Sequence, residues 1–339
     1  MFYLRWTKPI AEPSHLPSGL SRTFVDTEDG KLELIVAEPP SSYIGPRKRP
    51  IFFQHGGMGQ AGVWIEWMTY LSQRHNIPCY ALSLRGHGLS WYPSFISMVY
   101  LTTKRALAND LVKGIKYVEQ KEKAEVVLVG HSSGGGLSQV ILDAGDVNVA
   151  GLVLTASIPC YGSLGVYMNW WKMDPWFSLR MWRHFLHPNS PLSSTGLVKR
   201  AFFCDAKPDS EVDAFAQKMS YYESFLWPLG MMLGRLVDVR NVVKRISGWE
   251  SRGCSLMVLA AEKDRLMSIK QMKGAAEHYR GGLMDLIRTK KLDSVESGDP
   301  EGDVSGVRFR VVAGAGHHLQ NDIQWHEGAC EVVGFYEQL

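Results

Sequence analysis

The chain has 339 residues, of which 45% are hydrophobic and 21% charged, which is enough apolar material for one large globular domain, with or without an inserted subdomain. A net charge of +3 is too small to indicate nucleic-acid binding, and five scattered cysteines without a C-x-x-C pair indicate neither a disulfide framework nor a zinc site. No N-terminal signal pattern and no run of about 18 apolar residues is present, so we expect a cytoplasmic protein without a membrane span.

Strand and helix patterns alternate along most of the chain. Strand patterns at 23–25 and 31–37 flank the turn formed by residues 28–30 and predict a β-hairpin. Later segments carry apolar residues at helical spacing between short apolar strand patterns. The further strands are predicted at 51–54, 78–84, 126–129, 151–155, 255–261 and 307–313. This alternation predicts an α/β fold with a mostly parallel, doubly wound sheet, whose ligands bind at the carboxyl ends of the strands.

The segment 158–249 interrupts the alternation. It has no strand pattern and is dense in Trp, Tyr, Phe and Met. We interpret it as a helical cap inserted after the sixth strand, so that the α/β core comprises residues 1–157 and 250–339. The acidic stretch 292–306 is predicted to be a surface loop.

The sequence GHSSGG at 130–135 joins a predicted strand to a predicted helix. It lacks the Lys-Ser/Thr ending of a Walker loop and the spacing of a dinucleotide loop, so a phosphate site is disfavoured. It fits G-x-S-x-G, a crowded turn that exposes a serine hydroxyl and needs very small residues two positions away on both sides. Ser132 has Gly130 and Gly134 at those positions, whereas Ser133 would have a histidine at one of them. Ser132 is therefore the predicted nucleophile.

Two later strand ends carry possible partners for this serine. A serine hydroxyl needs a base, usually a histidine that a carboxylate holds in the correct tautomer. EKD follows the strand at 255–261, and GAGHH follows the last strand. The order serine, acid, histidine predicts Asp264 as the acid and His317 as the base. Glu262 and His318 are the alternatives.

Acyl transfer also needs donors for a developing oxyanion. The N–H of Ser133, directly after the predicted nucleophile, is one expected donor. The sequence HGGM follows the strand at 51–54, and Gly57 or Met58 is expected to supply the second N–H group. His55 and His131 flank these backbone positions and are interpreted as residues that support loops or line the pocket.

Together these motifs resemble those of the α/β-hydrolase superfamily, in particular its capped serine hydrolases such as lipases, esterases and thioesterases. The motifs that carry the resemblance are HGG at 55–57, RGHGLS at 85–90, GHSSGG at 130–135, EKDRLM at 262–267 and GAGHH at 314–318. They follow the family order over most of the chain. Ser83 is a departure, because relatives often have Asp before the RGHG turn.

The motifs and the resemblance predict a serine hydrolase that cleaves an ester, thioester or lactone through an acyl-enzyme on Ser132. No metal or organic cofactor is expected. The Trp-rich and Met-rich cap predicts a roomy pocket for a medium-to-large hydrophobic acyl substrate, which could arrive as a carrier-protein-linked or CoA-linked thioester. Trp170, Trp171 and Trp176 are the predicted cap residues of that pocket. The alternatives are an acyltransferase or cyclising thioesterase, as in polyketide-type metabolism, and a non-catalytic ligand-binding receptor.

Overall fold

An eight-stranded sheet forms the centre of the protein. The structure is a computed structural model that describes residues 4–9, 15–232, 234–250, 254–292 and 306–339. The strands are β1 (Leu20–Asp26), β2 (Lys31–Ala37), β3 (Ile51–Gln54), β4 (Cys79–Leu82), β5 (Val127–His131), β6 (Gly151–Thr155), β7 (Leu256–Ala261) and β8 (Val307–Val312). Their order in the sheet is β1-β2-β4-β3-β5-β6-β7-β8. β2 runs antiparallel to β1 and β4, and all other neighbours are parallel. The predicted α/β fold class is confirmed.

Helices cover both faces of this sheet. They are α1 (Ile65–His75), α2 (Lys104–Glu122), α3 (Ser132–Asp143), α4 (Leu164–Met173), α5 (Phe177–Arg183), α6 (Thr195–Phe202), α7 (Asp209–Gln217), α8 (Leu226–Met232), α9 (Val239–Val243), α10 (Ile269–Arg288) and α11 (Trp325–Tyr336). Successive strand residues point to opposite faces, so Phe52 packs in the core on one side of β3 and Phe53 in the core on the other. The inner strands β3 to β7 are therefore buried on both faces, as their apolar sequences predict, whereas the edge strands β1 and β8 are partly exposed.

The segment between β6 and β7 contains the helices α4 to α9, and its described residues include no further strand of the sheet. We call residues 158–249 the helical insertion. Its last helix, α9, packs against α3 and α10 of the core, and Ile246 forms a parallel bridge with Val149. The C-terminal part of the helical insertion thus lies against the core helices. The division of the chain into core and cap parts stays a prediction.

Two sequence predictions concern the rest of the chain. Most of the predicted acidic loop, residues 293–305, lies outside the described residues. Across the described ranges, none of the helices combines the length and the apolar character that crossing a bilayer requires.

Two neighbouring glycines of α10 provide a matched test of its packing. A Cβ at Gly281 would have no atom within 4 Å, whereas a Cβ at Gly282 would lie 2.7 Å from Val239 Cγ2 of α9. We expect Gly281→Ala to raise the free energy of unfolding by about 0.5–1 kcal/mol, because alanine loses less backbone entropy in a helix. Gly282→Ala is expected to lower it by about 1–3 kcal/mol through overpacking. Urea unfolding measures both, and equal changes would contradict the α9–α10 packing.

Candidate active site

A tight turn between β5 and α3 carries Ser132. Its φ of +53° lies in the left-handed region, which is unusual for a residue other than glycine. A Cβ at Gly130 would lie 2.6 Å from Ser138 Oγ, and a Cβ at Gly134 would lie 2.0 Å from the carbonyl oxygen of His55. The two small residues are therefore required by close contacts on both sides of the turn. The turn presents Ser132 at the carboxyl end of β5.

Three predicted residues from separate parts of the chain meet at this edge of the sheet. His317 Nε2 is 3.0 Å from Ser132 Oγ, and His317 Nδ1 is 2.8 Å from Asp264 Oδ2. The other carboxylate oxygen, Asp264 Oδ1, accepts the backbone N–H groups of Leu266 at 2.7 Å and Met267 at 2.9 Å. Both Asp264 and His317 are buried. The backbone of the following turn thus holds one oxygen of Asp264, and the other oxygen faces His317.

The alternative residues lie in different surroundings. Glu262 is exposed, and its two oxygens contact the backbone N–H of Gly314 at 2.8 Å and the Lys263 ammonium at 3.2 Å. His318 Nδ1 lies 3.2 Å from Asn321 Oδ1. Burial, followed by the repulsion of His317, lowers the pKa of His318 to about 3, which keeps this ring neutral.

The loop after β3 lies beside the serine turn. Gly57 N–H donates a hydrogen bond of 2.7 Å to Ser133 Oγ, so Gly57 directs its donor toward the residue after Ser132. Ser133 itself is in the first turn of α3, where backbone N–H groups have no partner within the helix. Met58 N–H donates instead to Glu223 Oε2 at 2.7 Å. Of the two predicted donors from this loop, Gly57 is the one beside α3.

A cavity of about 130 Å³ opens above Ser132 and His317. Its other walls come mainly from apolar side chains of the helical insertion. They include Ile158, Val166, Tyr167, Trp170, Leu192, Phe202 and Trp227. The volume is smaller than the roomy pocket predicted from the Trp and Met content. An engineered apolar cavity of about 150 Å³ holds a benzene molecule, which sets the scale of group that fits here.

A larger depression of about 230 Å³ lies near α7, on another side of Met58. Lys207, Glu211 and Lys218 contribute to its walls, and neither Ser132 nor His317 does. Since the nucleophile and base candidates both line the smaller cavity, we assign the candidate active site to the smaller one.

The structure places two of the five residues predicted to bind substrate at the cavity and the other three elsewhere. His131 and Trp170 line the cavity. Trp171 and Trp176 do not, and their side chains are 55% and 69% exposed to solvent. His55 is buried beneath the loop that it precedes. Its Nδ1–H donates to Gly56 O at 2.7 Å and its Nε2 accepts Leu84 N–H at 3.1 Å. Burial lowers the pKa of His55 and of His131 well below 6.5, so both rings are neutral at neutral pH.

Comparisons with known proteins concern the family and the fold of the chain. A sequence profile described as the alpha/beta hydrolase family matches residues 51–327, which is most of the chain. The chain belongs to the alpha/beta hydrolase family. An esterase from Exiguobacterium antarcticum has a similar structure, with 17% identity and a TM-score of 0.61 over 93% of this chain and 99% of that one.

Two further structures show how varied the members of such a fold can be. The thioesterase domain from the curacin biosynthetic pathway has 13% identity and a TM-score of 0.57, over 94% of this chain and 99% of that one. A bromoperoxidase from Bacillus anthracis has 13% identity and a TM-score of 0.61, over 94% and 100%. Identities this low establish the shared fold alone, so the activity of this alpha/beta hydrolase family member must be argued from its own residues.

The RGHG turn of this family member is held by a carboxylate from another strand. Ser83 Oγ donates to Glu33 Oε2 at 2.8 Å, and Leu89 N–H donates to the same oxygen at 3.0 Å. Glu33 is buried in β2 and forms an ion pair with Arg22 at 2.7 Å. The departure at Ser83 therefore leaves the turn supported, because β2 supplies the carboxylate.

Sequence reasoning missed Glu223 and its contact with His87 of the RGHG turn. Glu223 lies in the helical insertion, lines the cavity and is buried. Its Oε2 is 2.9 Å from His87 Nε2, and His87 Nδ1 is 2.8 Å from the carbonyl oxygen of Arg85. Both partners of the ring are acceptors, an arrangement that favours a proton on each ring nitrogen and so the imidazolium form of His87. The only sequence signal was that Glu223 is an acidic residue in a mostly apolar segment.

The charge on Glu223 is therefore balanced by His87. Burial lowers the pKa of His87, but the attraction of the Glu223 carboxylate and its hydrogen bond outweigh burial, and the net shift is upward. The same carboxylate oxygen accepts the Met58 N–H beside Gly57. Glu223 thus connects the helical insertion to the loop that contains Gly57. Because His87 pairs with it, its carboxylate adds no uncompensated negative charge beside that loop.

The His87–Glu223 pair predicts a pH-dependent contribution to stability. Because the folded pKa of His87 is raised above 6.5, the stabilisation is complete below pH 6.5 and is lost as pH rises through the folded pKa. Glu223→Gln is expected to lower the free energy of unfolding by at least about 1 kcal/mol near pH 5.5 and by less near pH 9. Urea unfolding across this range measures the difference. Glu262→Gln, an exposed carboxylate change, is the control. A difference that stays constant with pH would mean that His87 is neutral.

Proposed function

We propose that the protein is a serine hydrolase that cleaves an ester, thioester or lactone of a hydrophobic acyl substrate through an acyl-enzyme on Ser132. The observation that carries the proposal is the chain of contacts from Ser132 Oγ to His317 Nε2 at 3.0 Å and from His317 Nδ1 to Asp264 Oδ2 at 2.8 Å. A nucleophile, a base and a group that orients the base form the unit that activates a serine hydroxyl.

His317 accepts the proton of Ser132 as the oxygen attacks the acyl carbon, and then donates it to the leaving group. Asp264 accepts a hydrogen bond from Nδ1–H, which leaves Nε2 free of a proton and directed at the serine. It also stabilises the imidazolium that forms during attack. Water, activated by the same histidine, then releases the acyl group from Ser132.

The backbone N–H groups of Ser133 and Gly57 are the proposed donors to the oxyanion. In the substrate-free site, Ser133 Oγ accepts the Gly57 N–H. We infer that the Ser133 side chain rotates away when the oxygen of a substrate arrives. Preorganised donors of this kind typically contribute a factor of about 10² to 10³ each to the rate.

The cavity above Ser132 is the proposed acyl site. Its mainly apolar lining favours a hydrocarbon group and limits water beside the acyl-enzyme. That lining also supports acyl transfer to an alcohol as a second candidate function, since the same acyl-enzyme serves both reactions.

Labelling with a fluorophosphonate probe tests the proposed nucleophile. We expect stoichiometric labelling of the wild-type protein at Ser132, located by mass spectrometry of peptides, and none of Ser132→Ala. Ser133→Ala is the matched control, since it removes the adjacent hydroxyl while keeping the proposed base and acid. It should still be labelled. Loss of labelling in a folded Ser133→Ala protein, with labelling retained in Ser132→Ala, would overturn the assignment, and an unlabelled wild-type protein would favour a non-catalytic receptor.

Chain length of the acyl group tests the cavity. Each buried methylene is worth about 0.8 kcal/mol, so kcat/KM for nitrophenyl esters should rise several-fold per carbon from acetate until the cavity is full. A volume near that of a benzene site predicts an optimum at about four to six carbons and a fall toward decanoate. A steady rise to decanoate would instead mean that the helical insertion opens, as the larger pocket predicted from the sequence requires.

A further inference from the structure

The outer surface of α4, α5 and the turn after α5 exposes an unusual number of large apolar side chains. We call this surface the aromatic face. Each of its members is more than half exposed to solvent. They are Leu164, Met168, Trp171, Trp176, Leu179, Trp182, Phe185 and Leu186. Single exposed apolar residues are common on proteins, but a run of eight in adjacent elements indicates a contact surface.

The aromatic face follows from helix geometry. On α4, positions 164, 168 and 171 are spaced four and three residues apart, which places them on one side of the helix. α5 buries none of its residues. At its end, Phe185 and Leu186 have φ values of +51° and +57°, and Phe185 is 82% exposed. The left-handed backbone turns the chain so that these two side chains extend the face.

Packing within the helical insertion does not account for the aromatic face. The opposite side of α4 carries Val166 and Trp170, which line the cavity above Ser132. α4 is therefore apolar on both sides, with one side toward the candidate active site and the other toward solvent. Since the inner side already anchors the helix, the outer Trp and Met side chains contribute little to folding as long as water surrounds them.

Within residues 164–187, which contain the aromatic face, the exposed charges have one sign. Lys172 and Arg183 are exposed beside the apolar side chains. The only carboxylate between positions 164 and 187 is Asp174, which is buried and forms an ion pair with Arg180 at 2.5 Å. The exposed residues of this segment thus combine tryptophan, phenylalanine and leucine with cations.

Beside Lys172, a depression brings in Arg200, Arg265 and the exposed carboxylate of Asp205. Asp205 pairs with Arg265 at 2.9 Å, so this side of the face keeps a net positive charge. This composition is that of protein surfaces that lie in the interfacial layer of a membrane, with rings at headgroup depth.

We propose that the aromatic face binds peripherally to an anionic lipid surface. Trp176, Trp182 and Phe185 would enter the boundary between headgroups and acyl chains, and Lys172 and Arg183 would contact anionic headgroups. A second copy of this chain is the competing occupant. It is disfavoured because a two-fold contact through the aromatic face would bring the cations of both copies together, while the neighbouring carboxylate, Asp205, is already paired with Arg265. Binding requires no chemical step, so it stands or fails independently of the proposed function.

Vesicle flotation with the full chain tests the proposal. We expect binding to phosphatidylcholine vesicles containing 30% phosphatidylglycerol, at least tenfold stronger than to phosphatidylcholine alone, and weakened by raising the salt concentration. The double variant Trp182→Ser/Phe185→Ser should reduce binding to the anionic vesicles at least tenfold. Arg183→Glu should reduce it by a smaller factor.

Ile44→Ser is the matched control, because Ile44 is 99% exposed but lies between β2 and β3, outside the aromatic face. It should bind like the wild type. Thermal unfolding of each variant establishes that the fold is retained. Absence of binding to anionic vesicles, or equal binding by the double variant and the wild type, would overturn the proposal. A wild-type dimer in light scattering that the double variant lacks, without vesicle binding, would assign the face to a second copy.

Discussion

The crowding at the turn after β5 is the constraint on which the site depends. Gly134 approaches the carbonyl oxygen of His55 so closely that a single additional carbon would lie 2.0 Å from it. That contact brings the loop after β3 against the first turn of α3. Gly57 and Ser133 are neighbours only because these two backbones touch. A substitution at Gly134 would therefore separate the donors as well as strain the turn that carries Ser132.

The helical insertion is joined to the core by more than its apolar contacts. Glu223 reaches from it to the Met58 N–H and to His87, so one side chain connects the loop after β3, the RGHG turn and the wall of the cavity. A buried carboxylate beside proposed oxyanion donors would oppose the charge that develops there, but the His87 imidazolium compensates it. Because a displacement of the insertion would move Glu223, the insertion and the loop are expected to move together.

Local signals made the fold and several candidate site residues predictable from the sequence. Alternating strand and helix patterns predicted the eight strands. The turn at Ser132 requires a small residue two positions away on each side, and the sequence shows glycine at both positions. The exposure of Trp171 and Trp176 was not predictable, because the sequence of a Trp-rich helix does not show which of its sides faces a cavity. Glu223 and the cavity volume depend on how distant segments pack, which periodicity does not encode.

The hydrogen bond from Gly57 N–H to Ser133 Oγ has a consequence for selectivity. If Gly57 N–H donates to the oxyanion as we propose, the Ser133 hydroxyl tethered beside it is an intramolecular competitor at a high effective concentration. Every incoming carbonyl oxygen meets the same competitor, whatever acyl chain it carries. Such competition slows all substrates by one common factor and leaves their ranking unchanged. Discrimination among acyl groups then belongs to the cavity walls alone, and changes there can retune it without altering the donors.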